Sequence, residues 1–397
     1  MIASLTKRML TEIEPRLLWK LAWNCGWKGM RGVGRFQSRL RQGQTLPAFL
    51  FLSVTNDCNL RCQGCWVTPT NPRLSLSLAT MDRVISQAKR HGCCFYGILG
   101  GEPLLHPELF DLIARHPDCY FQVFTNGTLL TDDLAATMQR LGNVTPLISI
   151  EGNEAVSDVR RGGSEVYRRS MQGVEHCRRH RLITGVATSV CQSNLDELVS
   201  DSFLDELVGR GVHYLWYYLY RPVGANPCPE LALTPEQIVG VRRFLVEARC
   251  RAPIILVDAY WDHDGNAVCP AAVGISHLVN PAGDVEPCPV IQFAKENVAD
   301  DENVIRLVTT SDFLAAFRTL AAETTRGCIL LERPEVLLRF LRQEGARDTS
   351  GRDSAFDELA RLSPQPSHHL PGREIPEKHP LYRFAKKHWF FGFGAYG

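Results

Sequence analysis

From residue 49 onward, short apolar runs alternate with longer amphipathic stretches, and the runs are rich in β-branched and aromatic residues bounded by turn formers. That pattern predicts strands at Phe49 to Thr55, Cys93 to Leu99, Tyr120 to Phe124, Leu147 to Ile150, Gly185 to Val190 and His213 to Tyr220. Helical periodicity fills the intervals, over Ser77 to Arg90, Pro107 to Arg115, Thr131 to Leu141, Glu165 to His180 and Leu195 to Arg210, with Thr234 to Arg249 after the last strand. Six strand–helix units in a row require a parallel sheet with helices on one side. The short pitch favours an incomplete barrel over a doubly wound sheet.

After residue 226 the rhythm changes. Asn226-Pro227 and Pro229 punctuate the chain, a helix follows, and a stretch rich in Gly, Pro and Cys runs to Pro289, read as a smaller second unit. Residues 341–397 read as a linker and an aromatic tail, with Pro, Arg, Ser and charge concentrated in 345–380. No internal repeat recurs at a solenoid period.

Composition narrows the function class. With 45% hydrophobic and 22% charged residues among 397, the chain has ample apolar material for a core. Its longest apolar stretch, Leu46 to Val54, is about nine residues against the roughly 20 that cross a bilayer, and no secretory leader opens the sequence, so the expectation is a cytoplasmic protein. The formal charge of +1 conceals an asymmetry: residues 1–46 carry nine Lys/Arg against Glu12 and Glu14, a net +7, leaving −6 for the rest. No nucleic-acid partner is expected for the body; an anionic surface would meet the N-terminal arm. Fourteen cysteines separated by long gaps read as metal ligands, reactive thiols or small core residues rather than a disulfide scaffold.

Three of them stand at C-x3-C-x2-C in Thr55-Asn56-Asp57-Cys58-Asn59-Leu60-Arg61-Cys62-Gln63-Gly64-Cys65-Trp66, directly after the first strand. In a parallel barrel the loops after strands form the working face. Three thiolates can hold three irons of a [4Fe–4S] cubane and leave the fourth open to a small molecule. The competing readings are a structural zinc site, which usually takes four protein ligands and finds no second pair here, and three unrelated core cysteines.

With Trp66 following it, this motif resembles the signature of the radical S-adenosylmethionine (SAM) superfamily, and Gly100-Gly101-Glu102-Pro103 at the end of the second strand is similar to that family's GGEP motif. The resemblance covers roughly residues 49–221. It implies a six-strand partial barrel, (β/α)6, and a [4Fe–4S] cluster on Cys58, Cys62 and Cys65 that binds SAM. It also implies reductive cleavage of SAM to a 5′-deoxyadenosyl radical that takes hydrogen from an unactivated carbon. By the same resemblance GGEP lines the methionine end of SAM, its backbone or Glu102 accepting from the ammonium. Thr125, Asn126, Ser149 and Glu151 end the third and fourth strands on the same rim. Arg161, with Arg160 as the alternative, would meet the SAM ribose or carboxylate, and Glu151 stands where relatives often have Asp. The bland reading of these rim residues is turn and capping without ligand contact.

Cys269-Pro270-Ala271-Ala272 and the segment from Val279 to Pro289, with Cys288, resemble the start of the auxiliary-cluster (SPASM/twitch) extension of many such enzymes; Cys328 is a plausible further ligand. The closing cysteine run of the two-cluster form is absent, so the resemblance implies one extra iron–sulfur cluster. Its fourth iron is open to substrate or takes Cys228 or Cys250. The alternative is a hairpin with zinc or merely buried cysteines. Residues 226–340 are therefore the expected auxiliary-cluster domain. Cys93, Cys94, Cys177, Cys191 and Cys250 read as core packing, and Cys25 and Cys119 carry no further signal.

Residues 1–48 read as a basic helical arm. Pro15 suits a first helical turn, and Trp19, Trp23 and Trp27 recur at four-residue spacing beside Lys and Arg, as on an interfacial membrane helix. Lys386 to Phe391 repeat the basic-aromatic theme at the far end. The alternative is that both termini pack on the barrel. The combined expectation is a cytoplasmic radical SAM enzyme, with peripheral contact to a membrane's inner face through residues 1–46 as an option, using a flavodoxin or ferredoxin reductant on a peptide, lipid or small-molecule substrate. A non-catalytic iron–sulfur or zinc protein on a barrel scaffold is the competing class.

Overall fold

The computed structural model describes residues 2–70 and 72–389; Phe390 and Phe391 of the aromatic tail lie outside the described residues. Strands β1 (Phe49–Ser53), β2 (Phe95–Leu99), β3 (Tyr120–Thr125), β4 (Val144–Ser149), β5 (Gly185–Val190) and β6 (Tyr214–Leu219) lie side by side in sequence order, all parallel. An order that never reverses means every crossover winds the same way, which places helices on one side and curves the sheet toward a barrel. The residues read as a smaller second unit extend this same sheet. β7 (Ile255–Val257) pairs parallel with β6, and β8 (Ser276–Val279) pairs parallel with β1 and carries the antiparallel β9 (Val285–Glu286), making nine strands. Ile254, Leu256, Leu278 and Val279 are buried, so an apolar run too short to announce itself completes each edge.

Side-chain caps set several helix starts. In α4 (Leu78–Arg90) the Ser77 hydroxyl accepts from Thr80 N at 3.1 Å, and in α6 (Asp132–Leu141) Thr131 accepts from Leu134 N at 3.3 Å. Two departures from the periodicity matter. The stretch read as one helix from Leu195 divides into Leu195–Leu198 and Asp201–Gly209, because Ser200 accepts from Phe203 N and restarts the chain. The turn around Arg160 is a helix, Glu154–Arg161, capped by Asn153 and ended by Gly162 at φ +68°.

The N-terminal arm comprises α1 (Ile2–Glu12), α2 (Pro15–Lys20), a π-helix (Leu21–Trp27) and α3 (Lys28–Leu40). It closes the end of the barrel where strands begin, burying Ile13, Leu17, Val33 and Phe36. Its charge is used there. Arg8 donates to Val208 O, Val212 O and Pro253 O, Arg16 to Gln139 O and Arg140 O, Lys20 to Leu141 O, Lys28 to Asp118 O and Arg39 to His91 O. Several of these carbonyls end barrel helices, where the dipole favours cations. Much of the +7 is thus complementary to the barrel floor, while Trp19, Trp23 and Trp27 point outward at 66%, 47% and 48% exposure.

The segment read as linker and tail is fastened rather than loose. It adds β11 (Arg347–Asp348), paired antiparallel with β10 (Phe293–Ala294), and the helices Ala355–Arg361 and Pro380–His388. A fully buried charge cluster binds it to the barrel. Arg242 donates to Glu377 at 2.6 Å, Arg249 donates to Asp258 at 2.5 Å and to Glu377, and Lys386 donates to Asp258 at 3.1 Å.

Candidate functional site

All the rim residues read from sequence fall at one end of the sheet, where the parallel strands finish. Cys58, Cys62 and Cys65 occupy the loop after β1, each half-buried. Backbone contacts mould that loop against its neighbours: Gly101 N donates to Thr55 O at 2.8 Å, Glu102 N to Asp57 O at 2.7 Å and Gln63 N to Arg160 O at 2.9 Å. The glycines are required by this approach. A Cβ on Gly101 would lie 2.1 Å from Asp57 O and 2.9 Å from Cys58 Cβ, and one on Gly100, at φ +157°, 2.6 Å from Thr55 O. Gly101→Ala is therefore expected to displace the cysteine loop and to lower iron uptake at this site several-fold, measured as iron per chain after anaerobic reconstitution. Unchanged iron would show that the loop tolerates the shift.

The GGEP carboxylate is a brace. Glu102 is fully buried; its Oε1 accepts from Thr125 Oγ1 at 2.7 Å and Leu104 N at 3.0 Å, and its Oε2 from Asn126 N at 2.8 Å. Burial pushes this carboxyl up, against those hydrogen bonds. Asn126 in turn donates to Asn59 Oδ1 at 2.9 Å, so the ends of β2 and β3 hold the cysteine loop together. Ser149 ends β4, half-buried.

Glu151 and Arg161 form an ion pair at 2.5 Å, and Glu151 Oε2 also accepts from Ser189 N at 3.0 Å. Arg161 Nη1 lies 3.8 Å from Cys62 Sγ. Burial opposes the Arg161 charge, but Glu151 and the cysteine sulfurs outweigh it and its pKa rises. Its Nε is buried with no partner, as are Nε and Nη1 of Arg160, whose guanidinium lies over the Tyr220 ring at 4.8 Å. Orphaned buried donors of this kind are costly unless an anion completes them. Desolvation pushes the Cys58 thiol up to about 11 and Cys65 up to about 12, and the nearby Cys62 sulfur adds to both. A metal that ionised these thiols would relieve that cost.

The second trio also converges. Cys269 directly precedes the short helix Pro270–Val273, Cys288 sits in a bridge with Ile291, and Cys328 directly precedes Ile329–Glu332. Burial pushes Cys269 up to about 12, with Cys328 and Cys288 adding to it, and Cys288 up to about 11. Cys250 is exposed, contrary to its reading as a core residue, and Cys94 is only half-buried; Cys93, Cys177 and Cys191 are in the core.

Sequence reasoning passed over Arg221, which follows β6 on the same rim. Its guanidinium lies 5.5 Å from the Tyr260 ring centroid; burial opposes its charge, while Tyr260 and the sulfurs of Cys328, Cys288 and Cys269 raise its pKa. Only its position at a strand end could have flagged it. Arg352, from the supposed linker, donates to Trp66 O at 3.1 Å and Gln292 Oε1 at 3.0 Å, joining the first cysteine loop to the segment after Cys288.

Among the described residues, no three Cys, His, Asp or Glu converge tightly enough to share one metal ion. A cubane presents its irons at separate corners and takes sulfurs spaced more widely than a single zinc ion does.

Fold and site together define a parallel α/β protein built to hold an iron–sulfur cluster at the strand ends. The Radical SAM superfamily profile matches residues 52–199, and the chain belongs to that superfamily, whose members use a [4Fe–4S] cluster and SAM. It is 30% identical over 276 residues to the sporulation killing factor maturation protein SkfB of Bacillus subtilis (strain 168), covering 66% of each chain. It is 27% identical over 176 residues to the AdoMet-dependent heme synthase of Methanosarcina barkeri (strain Fusaro / DSM 804), covering 43% of this chain and 50% of that one. The chain thus spans half to two thirds of these relatives' lengths. The crystal structure of Streptococcus suis SuiB bound to S-adenosylmethionine shares the fold at a TM-score of 0.61, with 14% identity over 74% of this chain and 72% of that chain. No helix of the described residues is long and apolar enough to cross a membrane.

Proposed function

We propose that this chain is a radical SAM enzyme that modifies a peptide, with one SAM-binding [4Fe–4S] cluster and one auxiliary cluster. The reading rests above all on the two cysteine trios, each beside a half-buried guanidinium. Cys58, Cys62 and Cys65 would hold the first cluster, and Cys269, Cys288 and Cys328 the second. When bound, the first cluster and SAM supply a 5′-deoxyadenosyl radical that removes hydrogen from an unactivated carbon.

The protein's own contribution is positioning. The glycines of GGEP bring the second strand's end against the cysteine loop, and Glu102 locks that arrangement to Thr125 and Asn126. Arg161, with Nε unpaired, and Arg160 offer donors to the SAM carboxylate, while Glu151 fixes the Arg161 fork. Arg221 would offset the negative charge of the auxiliary thiolates. SkfB's name as a maturation protein, and a likeness of fold to SuiB bound to its precursor peptide, support a peptide substrate.

Anaerobic reconstitution tests this: near four irons and four sulfides per cluster, then 5′-deoxyadenosine on adding SAM and a low-potential reductant such as reduced flavodoxin. Zinc with no SAM cleavage would overturn it.

Peripheral membrane contact belongs to the same proposal in a restricted form. Removing residues 1–46 would expose the barrel floor, so the informative variant is Trp19→Ala/Trp23→Ala/Trp27→Ala, which touches only outward side chains. Trp19 and Trp23 stack at 6.0 Å, an apolar ridge suited to a headgroup boundary. Loss of most sedimentation with anionic vesicles is expected for this variant; equal sedimentation of variant and parent removes the membrane from the proposal.

A further inference from the structure

We propose that Cys94 and Cys119 form an oxidisable thiol pair at the barrel floor: a hydroperoxide oxidises Cys94 to a sulfenic acid, and Cys119 converts it to a Cys94–Cys119 disulfide. The inference stands apart from both clusters. GGEP lies past the far end of β2, six residues and roughly 20 Å away at about 3.3 Å per residue.

The sheet brings the two sulfurs together. β2 and β3 pair with Phe95 opposite Tyr120, and Tyr120 N donates to Cys94 O at 2.8 Å, so Cys94 and Cys119 face each other as the ladder begins. Adjacent strands lie about 4.8 Å apart, within the window of about 4.4–6.8 Å between the Cα atoms of a disulfide. Side chains of paired residues share a face of the sheet, and the two thiols are close enough to shift each other's titration in opposite directions.

The two cysteines are unequal in the way such a pair requires. Cys94 is half-buried and Cys119 buried. The Cys119 hydrogen bond holds the Cys94 thiol below its ordinary range against the effect of burial. Lys28 and Arg35 of the arm assist, and Asp118 opposes. Cys119 moves the opposite way, through that same bond, burial and Asp118, with Lys89 countering. Cys94 is thus the attacking thiolate and Cys119 the resolving thiol. Neighbouring Cys93 points into the core and is 3% exposed, so the site is confined to this pair.

The chemistry balances. The Cys94 thiolate attacks one peroxide oxygen, the O–O bond breaks and an alkoxide or hydroxide leaves, taking a proton to give alcohol or water. Cys119 sulfur then attacks the sulfenic sulfur, the S–S bond forms and water departs. Two thiols lose two electrons in all, and one hydroperoxide gains them. Disulfide formation also removes the anion that Lys28 and Arg35 face, so the site reports on the arm that covers it.

The test treats the reconstituted full-length protein anaerobically with one equivalent of hydrogen peroxide, alkylates free thiols, and maps peptides by mass spectrometry with and without dimedone. A linked Cys94–Cys119 peptide that dithiothreitol separates is expected. Cys119→Ser is expected to retain a dimedone adduct on Cys94, and Cys94→Ser to leave Cys119 alkylated. Full alkylation of Cys94 and Cys119 after a dose that oxidises other cysteines overturns the proposal, as does a Cys119→Ser protein that gains no adduct at Cys94.

Discussion

Replacing Cys58, Cys62 and Cys65 together by alanine is expected to lower bound iron from about eight to about four per chain and to abolish 5′-deoxyadenosine formation. The loop holding these thiols is pinned by backbone bonds from Gly101, Glu102 and Gln63, none of which uses a cysteine side chain, so the fold should survive. The remaining four irons would sit on Cys269, Cys288 and Cys328, which lie in separate turns and are brought together by packing. Iron analysis with electron paramagnetic resonance of the reduced protein reads both sites. A variant that keeps all its iron would remove the first cluster from this loop, and one left with none would remove the second from residues 269–328. In the surviving site, Arg221→Gln should move the auxiliary cluster's midpoint potential to more negative values, since a cation beside the sulfurs favours the extra electron.

Asp258→Ala should cost about 3–5 kcal/mol, as for breaking a buried ion pair by removing one partner. Arg242, Arg249 and Lys386 would then face Glu377 alone, all of them buried. Lys386→Met leaves two cations with two carboxylates and should cost much less. Urea unfolding measures both; equal costs would mean that charge balance does not govern the cluster.

The pH dependence follows. Burial opposes the charge of Asp258 and of Glu377, but the neighbouring cations outweigh it and hold both carboxyls below their ordinary range. Their stabilisation is therefore present above the unfolded carboxylate pKa of about 4 and is lost as pH falls below it. Lys386 is the opposite case. Burial brings it down to about 8 from 10.5, so between those values the unfolded chain binds the extra proton and stability rises with pH. Lys386→Met should erase that alkaline rise.

Much of the barrel was legible because each strand is a local run with its own turn signals. Gly185–Val190 coincides with the structure, and the other five core strands shift by only a few residues. Short edge strands carried less signal: β7 and β8 are three and four residues long and become strands only because β6 and β1 offer them an edge. The helix at Glu154–Arg161 was hidden by its polar composition, although Asn153 and Gly162 bracket it with a usable cap and stop. In the arm, the tryptophan spacing was visible, but the destination of the basic residues was not, since their acceptors are carbonyls as distant in sequence as Pro253.

The cysteine loop and the GGEP turn were readable from the chain alone, because their chemistry depends on residue type at close spacing and the glycines are demanded by local backbone approach. Tertiary structure alone decided that Arg161 and Arg221 each stand beside a sulfur trio, that Cys94 meets Cys119, and that Lys386 lies in the core. Such meetings join residues that are far apart in sequence, and strand order, register and burial determine which of them touch.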